Sequence, residues 1–247
     1  LRPQHAYGIL RAADEAKRLG IRRVTLIEFG VASGAGLMNM AYIAQRVTRE
    51  TGVHFDLHGF DTGEGMPPPD DYRDHPEYYQ AGDFQMDEHA LRAALPGSVN
   101  LVLGDLSETV PQFLSGLTEV APIGFVTVDV DYYWSTCAAL RALTGDPCLY
   151  LPLTNVYFDD VLLDNHNSWQ GQLLAIREFN DANAMRKLEH HQFLENQRVF
   201  RNASWLKQLY ALHVMDHPAR STLTTRRGVQ RHLENAYLGT SRRREQF

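Results

Sequence analysis

Residues 24–40 read VTLIEFGVASGAGLMNM and divide into an apolar run, a glycine-rich turn and the start of a helical pattern. The β-branched run over residues 24–27 is typical of a strand that is buried on both faces, as in a parallel sheet. Glu28 ends that run, and three glycines follow it, at Gly30, Gly34 and Gly36. Glycines here let the backbone turn sharply and approach a ligand closely. The segment therefore predicts a nucleotide-type cofactor site at the carboxyl edge of a parallel sheet.

The glycine spacing differs from that of dinucleotide-binding proteins. Their fingerprint is Gly-x-Gly-x-x-Gly, whereas three residues separate Gly30 from Gly34 here, and Asn39 stands where the last glycine would fall. Glu28, at the end of the strand, would repel a pyrophosphate and suits a cationic ligand instead. Both features count against a nicotinamide-dependent oxidoreductase, which is the alternative enzyme hypothesis. A glycine-rich turn that binds no ligand is the structural alternative.

The pattern Glu28-x-Gly30-x-x-x-Gly34-x-Gly36 resembles motif I of the class I S-adenosylmethionine (SAM) methyltransferases. This resemblance implies SAM as the cofactor. Asp61 follows the second predicted strand, where an acid accepts hydrogen bonds from ribose hydroxyls. Asp105 is placed to meet an adenine edge, and the main chain there could serve equally well. The cofactor-binding candidates are Glu28, Gly30, Ala32, Gly34, Gly36, Asp61, Thr62 and Asp105.

Apolar runs alternate with helical periodicities along the chain. Five strands are predicted, over residues 24–27, 55–60, 99–103, 123–128 and 156–158. Strands that alternate with helices predict an α/β fold with a doubly wound, mostly parallel sheet, which for this resemblance is the Rossmann-like methyltransferase fold. Residues 208–214 also alternate like a strand, and we expect them to pair antiparallel with a neighbour across the 198–202 region. Ser135 is expected to cap the helix after the fourth strand.

The length of 247 residues suits one domain over 1–247 with three additions. These are an N-terminal helix over 1–20, an insertion after strand two at 62–85, and a C-terminal extension over 184–247. The insertion contains the triple proline 67–69 and several tyrosines, so regular structure is not expected. Because its aromatic content argues against disorder, we interpret it as a lid or as a substrate-contacting insertion.

Every predicted strand is followed by at least one acid. They are Glu28, Asp61, Asp105, the pair Asp129 and Asp131, and the pair Asp159 and Asp160. Ligands of an open α/β sheet bind outside the carboxyl ends of its strands, so these acids should gather at the site. The last two pairs follow adjacent strands, and their oxygens favour Mg²⁺, Ca²⁺ or Mn²⁺ over zinc. Two ordinary turns are the alternative.

Three segments resemble the macrocin O-methyltransferase group, which acts on sugar-bearing natural products. They are GFDTGEGMP at 59–67, DVDYYWST at 129–136, and the paired acids at 159–160. In that group a divalent metal, usually Mg²⁺, is held by the first acid of the Asp-x-Asp and by the paired acids. The resemblance implies Asp129, Asp159 and Asp160 as metal ligands and Asp131 as a general base. The proline- and tyrosine-rich insertion after Pro67 departs from the group and leaves the acceptor open.

His166 lies in the loop just after the paired acids, so it is a second candidate base. A loop histidine without a role is the alternative.

The composition limits the classes of molecule that this chain is expected to bind. The formal net charge is −6, which gives no overall electrostatic case for nucleic acid. No apolar run approaches the length of a membrane span, and two cysteines are too few for a disulfide framework. We therefore expect a small-molecule acceptor, no nucleic acid or membrane partner, and a cytoplasmic location. The arginine-rich C-terminus, with Arg220 and the run at 242–244, suggests a solvated or oligomer-contacting end, so a homo-oligomer is left open.

Taken together, these patterns predict a SAM-dependent methyltransferase that performs metal-assisted O-methylation of a small hydroxylated acceptor, sugar-like or from natural products. The alternatives are a nicotinamide-dependent oxidoreductase and a non-catalytic SAM-binding protein.

Overall fold

A computed structural model describes residues 1–196 and 202–222. Within these residues, seven strands form one sheet with the order β3-β2-β1-β4-β5-β7-β6. The strands are β1 (Arg23–Phe29), β2 (His54–Asp61), β3 (Val99–Leu103), β4 (Ile123–Val128), β5 (Tyr150–Phe158), β6 (Arg186–His190) and β7 (Leu209–Val214). Only β7 runs against its neighbours, pairing antiparallel with both β5 and β6. The predicted doubly wound, mostly parallel α/β sheet is therefore confirmed.

Helices cover both faces of this sheet. They are α1 (Pro3–Leu19), α2 (Ala35–Thr51), α3 (Glu88–Ala94), α4 (Leu106–Gly116), α5 (Tyr133–Leu140), α6 (Gly171–Ala182), α7 (Gln192–Glu195) and α8 (Ala219–Thr222). One apolar core lies between the sheet and α1, α2 and α3. A second core lies between the opposite face and α4, α5 and α6. This two-sided burial explains why β1 reads as a continuous apolar run: all its residues after Arg23 are buried.

The structure corrects the sequence interpretation of the last three strands. β5 begins at Tyr150, well before the predicted start at residue 156, and it is almost wholly buried. The sequence pattern misses its first half because Pro152, Thr154 and Asn155 interrupt the apolar run. The edge strand β6 was not expected, since RKLEH has a single strongly apolar residue. β7 is antiparallel as predicted, and its outer partner is β6. Of the 198–202 region, across which the pairing was expected, residues 198–201 lie outside the described part.

The three expected additions appear as follows. α1 corresponds to the N-terminal helix and packs against α2 and β5. The insertion at 62–85 is irregular apart from one short 3₁₀ turn at Tyr72–Asp74. Most of the arginine-rich C-terminus, including 242–244, lies outside the described residues. In the part of the chain that the structure describes, no helix is long and apolar enough to cross a membrane.

Candidate active site

A cavity of about 750 Å³ opens at the carboxyl edge of the sheet. β1 and β4 are neighbours there, but the helices that follow them, α2 and α5, pack on opposite faces, which leaves a crevice between the strand ends. Most of the predicted site residues line the cavity: Glu28, Gly30, Ala32, Gly36, Asp61, Thr62, Asp105, Asp129, Asp131, Asp159 and Asp160. Gly34 and His166 are not among the described residues that form its wall.

The glycine-rich turn is tightly packed at two positions. A Cβ added to Gly30 would lie 1.6 Å from the carbonyl oxygen of Asp129, so β1 and β4 approach too closely there for any side chain. A Cβ on Gly36 would lie 2.0 Å from Oε1 of Glu28. Ala32 adopts the left-handed conformation with a φ of 45°, which non-glycine residues rarely do. Such strain persists only where surrounding contacts hold the backbone.

Those contacts come from Asp61. Its Oδ2 accepts hydrogen bonds from the backbone N–H groups of Val31 and Ala32, at 2.8 and 2.9 Å. Its Oδ1 accepts from Gly63 at 2.7 Å. The carboxylate at the end of β2 thus ties the cofactor turn to the start of the insertion. Each carboxylate oxygen has two lone pairs, so acceptor capacity for a ribose hydroxyl remains.

Thr62 and Asp105 also shape turns at the cavity wall. The hydroxyl of Thr62 donates to the carbonyl of Gly65 at 3.0 Å and accepts from the N–H of Glu64 at 3.2 Å. Asp105 is the N-cap of α4, and its side chain accepts from the N–H of Ser107 at 2.6 Å. Their roles toward an adenosine group stay predictions.

Glu28 is the most unusual acid of the turn. It is 3% exposed, and its Oε2 is buried without a hydrogen-bond partner among the described residues. Burial raises its pKa well above the ordinary value, the charges of Asp129 and Asp61 raise it further, and Arg2 opposes the shift. A buried carboxylate without a partner is costly. A cationic group of a ligand would remove that cost.

A second group of acids lies where β4 and β5 end. Asp129, Asp131 and Asp160 can each place a carboxylate oxygen within 4.8 Å of the other two. Asp131 has a φ of 58°, and this left-handed turn carries its backbone N–H to Oδ2 of Asp160 at 3.2 Å. We call these three residues the acid cluster.

Proton affinity is high throughout the acid cluster. Burial raises the pKa of Asp129 to about 8, and repulsion from Asp159 and Asp131 adds to this effect. Burial also raises the pKa of Asp131 to about 6, although hydrogen bonds from Tyr79 and Asp160 oppose the change. The pKa of Asp160 is raised well above its ordinary value, first by burial and then by Asp131 and Asp129. Crowded carboxyl groups of this kind fit a divalent cation, which prefers oxygen ligands and would take the place of the bound protons.

Asp159 is held differently from its neighbour Asp160. Its Oδ1 accepts a hydrogen bond from the hydroxyl of Tyr157 at 2.8 Å, and its backbone carbonyl accepts from Gln208. It lines the cavity but is not part of the acid cluster. The structure therefore groups Asp131 with Asp129 and Asp160, whereas the sequence resemblance grouped Asp159 with them. Both assignments stay predictions.

Gln172, the second residue of α6, links the two strand ends behind the acid cluster. It is fully buried, its Nε2 donates to the carbonyl of Val128 at 3.1 Å, and its Oε1 accepts from the N–H of Asp160 at 3.0 Å. Sequence reasoning missed this residue, because a glutamine at the start of a helix carries no motif.

The insertion closes one side of the cavity. Its lining residues include Met66, Tyr78, Tyr79 and Phe84. Tyr79 hydrogen-bonds to Asp131, so the insertion contributes a phenol to the acid cluster. A further contact fixes the start of the insertion: the hydroxyl of Tyr132 donates to the carbonyl of Pro67 at 3.1 Å. The aromatic content of residues 62–85 was the only sequence signal for Tyr79.

His166 lies outside the cavity wall. Its ring stacks on that of His75, with centroids 4.5 Å apart and an interplanar angle of 3°. Burial and the neighbouring His75 lower its pKa to about 4. His166 therefore joins the insertion to the loop after β5, and its predicted catalytic role remains untested.

Comparison with known structures relates this fold to methyltransferases. The chain is similar to the crystal structure of CalS11, calicheamicin methyltransferase, with 20% identity over 87% of this chain and 80% of that chain and a TM-score of 0.56. An apo structure of CalS11, named as a TDP-rhamnose 3′-O-methyltransferase, gives 21% identity over 84% and 79% with a TM-score of 0.45. The O-methyltransferase TomG from Streptomyces achromogenes, solved with SAM, gives 14% identity over 76% and 72% with a TM-score of 0.44.

No family model matches the chain, and no curated protein matches it significantly. At 20% identity the first likeness shows the fold alone. The narrower resemblance to the macrocin group stays a prediction. The strand order, the two-sided helix packing and the likeness to CalS11 together show that this chain has a Rossmann-like methyltransferase fold.

Proposed function

We propose that this chain is a SAM-dependent methyltransferase that methylates a hydroxyl of a small acceptor of the sugar or natural-product type. One observation carries the proposal: a single cavity joins the buried, unpartnered carboxylate of Glu28 to the separate acid cluster. The first feature suits a cationic cofactor, and the second suits a hydroxylated acceptor. The likeness in fold to calicheamicin methyltransferase supports this assignment.

The cofactor half of the cavity is built by the turn after β1. SAM, when bound, supplies an electrophilic methyl group on a sulfonium. The absence of a side chain on Gly36 leaves room for the carboxylate of Glu28. Asp61 holds the turn and keeps one acceptor site on Oδ1 for a ribose hydroxyl. Because the transfer is in-line, the main task of the chain is to position the two reactants.

The acceptor half contains a candidate base. Asp131 has a pKa near 6, so its carboxylate is mostly ionised at neutral pH and can take the proton of the acceptor hydroxyl. The methyl group would come from SAM, and Asp131 would keep the proton of the acceptor hydroxyl. The hydrogen bond from Tyr79 orients this carboxylate.

The acid cluster fits a divalent cation, which Asp129 and Asp160 would hold beside the base Asp131. Such a cation would supply positive charge that lowers the pKa of a nearby hydroxyl. The sequence resemblance adds Asp159 to these ligands, and binding measurements on Asp159 and Asp160 variants test that addition.

The alternatives have less support. An oxidoreductase would bring a pyrophosphate close to the buried Glu28, where like charges repel. A non-catalytic SAM-binding protein would have no use for an acid cluster in the wall of the same cavity.

Titration calorimetry tests the cofactor assignment. We expect S-adenosylhomocysteine (SAH) to bind with micromolar affinity, on the order of −8 kcal/mol, and NADH to give no heat. Mass spectrometry after incubation with SAM, Mg²⁺ and a panel of nucleotide-activated deoxysugars then tests methyl transfer, with Asp131→Asn as the inactive control. Binding of NADH without binding of SAH would overturn the proposal.

A further inference from the structure

The contact between the insertion and the loop after β5 is built on two histidines. The rings of His75 and His166 stack with an interplanar angle of 3° and centroids 4.5 Å apart. His75 is fully buried, and Nε2 of each ring is buried without a hydrogen-bond partner among the described residues. Protonation makes both ring nitrogens of a histidine donors, so it would bury an N–H without an acceptor. The stack therefore fits neutral rings.

The backbone on both sides makes room for this stack. His75 has a φ of 53°, a left-handed conformation that non-glycine residues rarely adopt. A Cβ added to Gly171, at the start of α6, would lie 3.0 Å from Cδ2 and 3.1 Å from Nε2 of His75. The insertion is thus attached to the body at a joint that is arranged around the two rings.

The charges around the stack can neutralise one protonated ring but not two. Among the described residues, Glu77 is the only acid within salt-bridge distance of either ring, with its Oε1 3.0 Å from Nδ1 of His75. The carboxylates of Asp74 and Asp164 are directed to backbone N–H groups. The first turn of α6 contains no acid. Tyr78, whose ring centroid is 5.8 Å from that of His75, carries no charge at neutral or acidic pH.

We propose that the stack is a pH-sensitive latch, which holds the insertion against the body while both rings are neutral and releases it when both are protonated. Two positive rings would face each other across 4.5 Å, and only His75 has an acid beside it. Separation of the rings exposes both to water and removes this repulsion.

Release of the latch would part the cavity wall. Tyr78 and Tyr79 line the cavity from the insertion, and Leu163 and Asp164 line it from the loop after β5. Because these two segments meet at the stack, their separation would open the acceptor half of the cavity, where Tyr79 contacts Asp131. This inference goes beyond the proposed function, since the latch needs neither SAM nor an acceptor.

The pH range follows from His166. Burial, and then the neighbouring His75, lower its pKa to about 4 from the ordinary value of 6.5. Between these two values the closed joint binds fewer protons than the open joint. The stability of the closed joint is therefore complete above about pH 6.5 and is lost as the pH falls toward 4. For one group with these pKa values, opening should be about 30-fold more favourable at pH 5 than at pH 7.5.

Hydrogen exchange, followed by mass spectrometry on the full chain, tests the latch. After correction for the intrinsic rate at each pH, the backbone amides of residues 72–79 should exchange about 10- to 30-fold faster at pH 5 than at pH 7.5. In His166→Phe the increase should be less than about threefold, because a phenyl ring can stack but binds no proton. Unchanged protection of β4 would show that the opening is local.

His89→Phe is the matched control. His89 is exposed on α3 and is not among the residues of the cavity wall, so this variant should keep the full pH response. His75→Phe should lose the response as His166→Phe does. Equal thermal midpoints at pH 7.5 would show that the variants fold. The pH dependence of the acid cluster is common to all of them and cancels in the comparison.

Two results would overturn the proposal: equal exchange of the insertion at both pH values in the unmodified chain, or an undiminished increase in both ring variants. If a phenyl ring already loosens the insertion at pH 7.5, an NMR titration of the unmodified chain decides. Titration of His166 near the ordinary pKa of about 6.5 would then contradict the latch, and titration below about pH 5 would support it.

Discussion

Asp74 of the insertion accepts a hydrogen bond from the backbone N–H of Trp134 at 3.3 Å, across 60 residues of sequence. Its other oxygen accepts from the N–H of Asp70 at 2.8 Å. Tyr132, the N-cap of α5, provides no side-chain cap. The insertion therefore supplies the acceptor that the start of α5 needs, and it does so with a carboxylate that is 1% exposed.

Replacing Asp74 with alanine should destabilise the chain and loosen the insertion. Loss of a buried cap leaves the N–H groups of Trp134 and Asp70 without their acceptor, which costs about 1–3 kcal/mol. Urea unfolding measures the change in the free energy of unfolding, and limited proteolysis detects new cleavage within 62–85. Asp70→Ala is the control, because only the backbone of Asp70 takes part. Equal stability of the two variants would contradict the prediction.

Asp61→Asn should impair the cofactor turn. The amide retains one acceptor oxygen but turns an NH₂ group toward backbone donors that Asp61 now satisfies. Hydrogen bonds to charged groups contribute about 1.5–3 kcal/mol, so SAH affinity should fall about 10- to 100-fold in calorimetry. Asp56→Asn on the same strand, whose partner is the exposed Arg23, should leave SAH affinity unchanged. A normal affinity in Asp61→Asn would show that the turn holds without the carboxylate.

Cation binding should depend on Asp160 more than on Asp159. Asp160 belongs to the acid cluster, while the carboxylate of Asp159 is engaged by Tyr157. We expect Mg²⁺ or Mn²⁺ to raise the thermal midpoint of the unmodified chain and of Asp159→Asn, but not of Asp160→Asn. The reverse result would restore the ligand set implied by the sequence resemblance. If the thermal midpoint of none of the three proteins changes, the cation has no part in the mechanism.

Without a cation, the acid cluster should make stability fall as pH rises. The pKa values of Asp129 (about 8) and Asp131 (about 6) lie above the ordinary value of 3.8. At pH values between the ordinary and the raised pKa, the native chain therefore binds more protons than the unfolded chain. The free energy of unfolding must then decrease from about pH 4 toward pH 8. Asp131→Asn should flatten this dependence, both directly and because the charge of Asp131 raises the pKa of Asp129.

Urea unfolding in EDTA at several pH values measures this difference. The buried His5, whose pKa is lowered to about 4, contributes with the opposite sign between about pH 4 and 6.5. That contribution is common to both proteins and cancels in the comparison. Parallel curves for the unmodified chain and Asp131→Asn would contradict the prediction.

The sheet and its ligand-binding edge could be predicted because they depend on local patterns. The apolar run of β1, the glycines after it and an acid at or just after the carboxyl end of each of the first five strands can all be read from the sequence. Parallel strands bring their carboxyl ends to one edge, so the placement of Asp61 and Asp129 at the cavity followed from topology.

The remaining features depend on distant contacts. Ser135 was expected to cap α5, but it lies inside the helix, and the acceptor comes from Asp74. The grouping of Asp131 with Asp160 depends on the left-handed backbone conformation of Asp131, which its residue type alone does not predict. Arg2 reaches the cofactor turn only because α1 packs across α2, which a helical pattern alone does not specify.

The attachments of the insertion have a consequence for divergence and engineering. Two of them end on backbone atoms of the body, because Asp74 accepts from the N–H of Trp134 and Tyr78 donates to the carbonyl of Asp164. Such backbone partners survive substitution of the side chains around them. We therefore expect an insertion from another protein to pack on the same body if it retains Asp74 and Tyr78, and to leave the cofactor turn intact if it also retains Thr62 and Gly63.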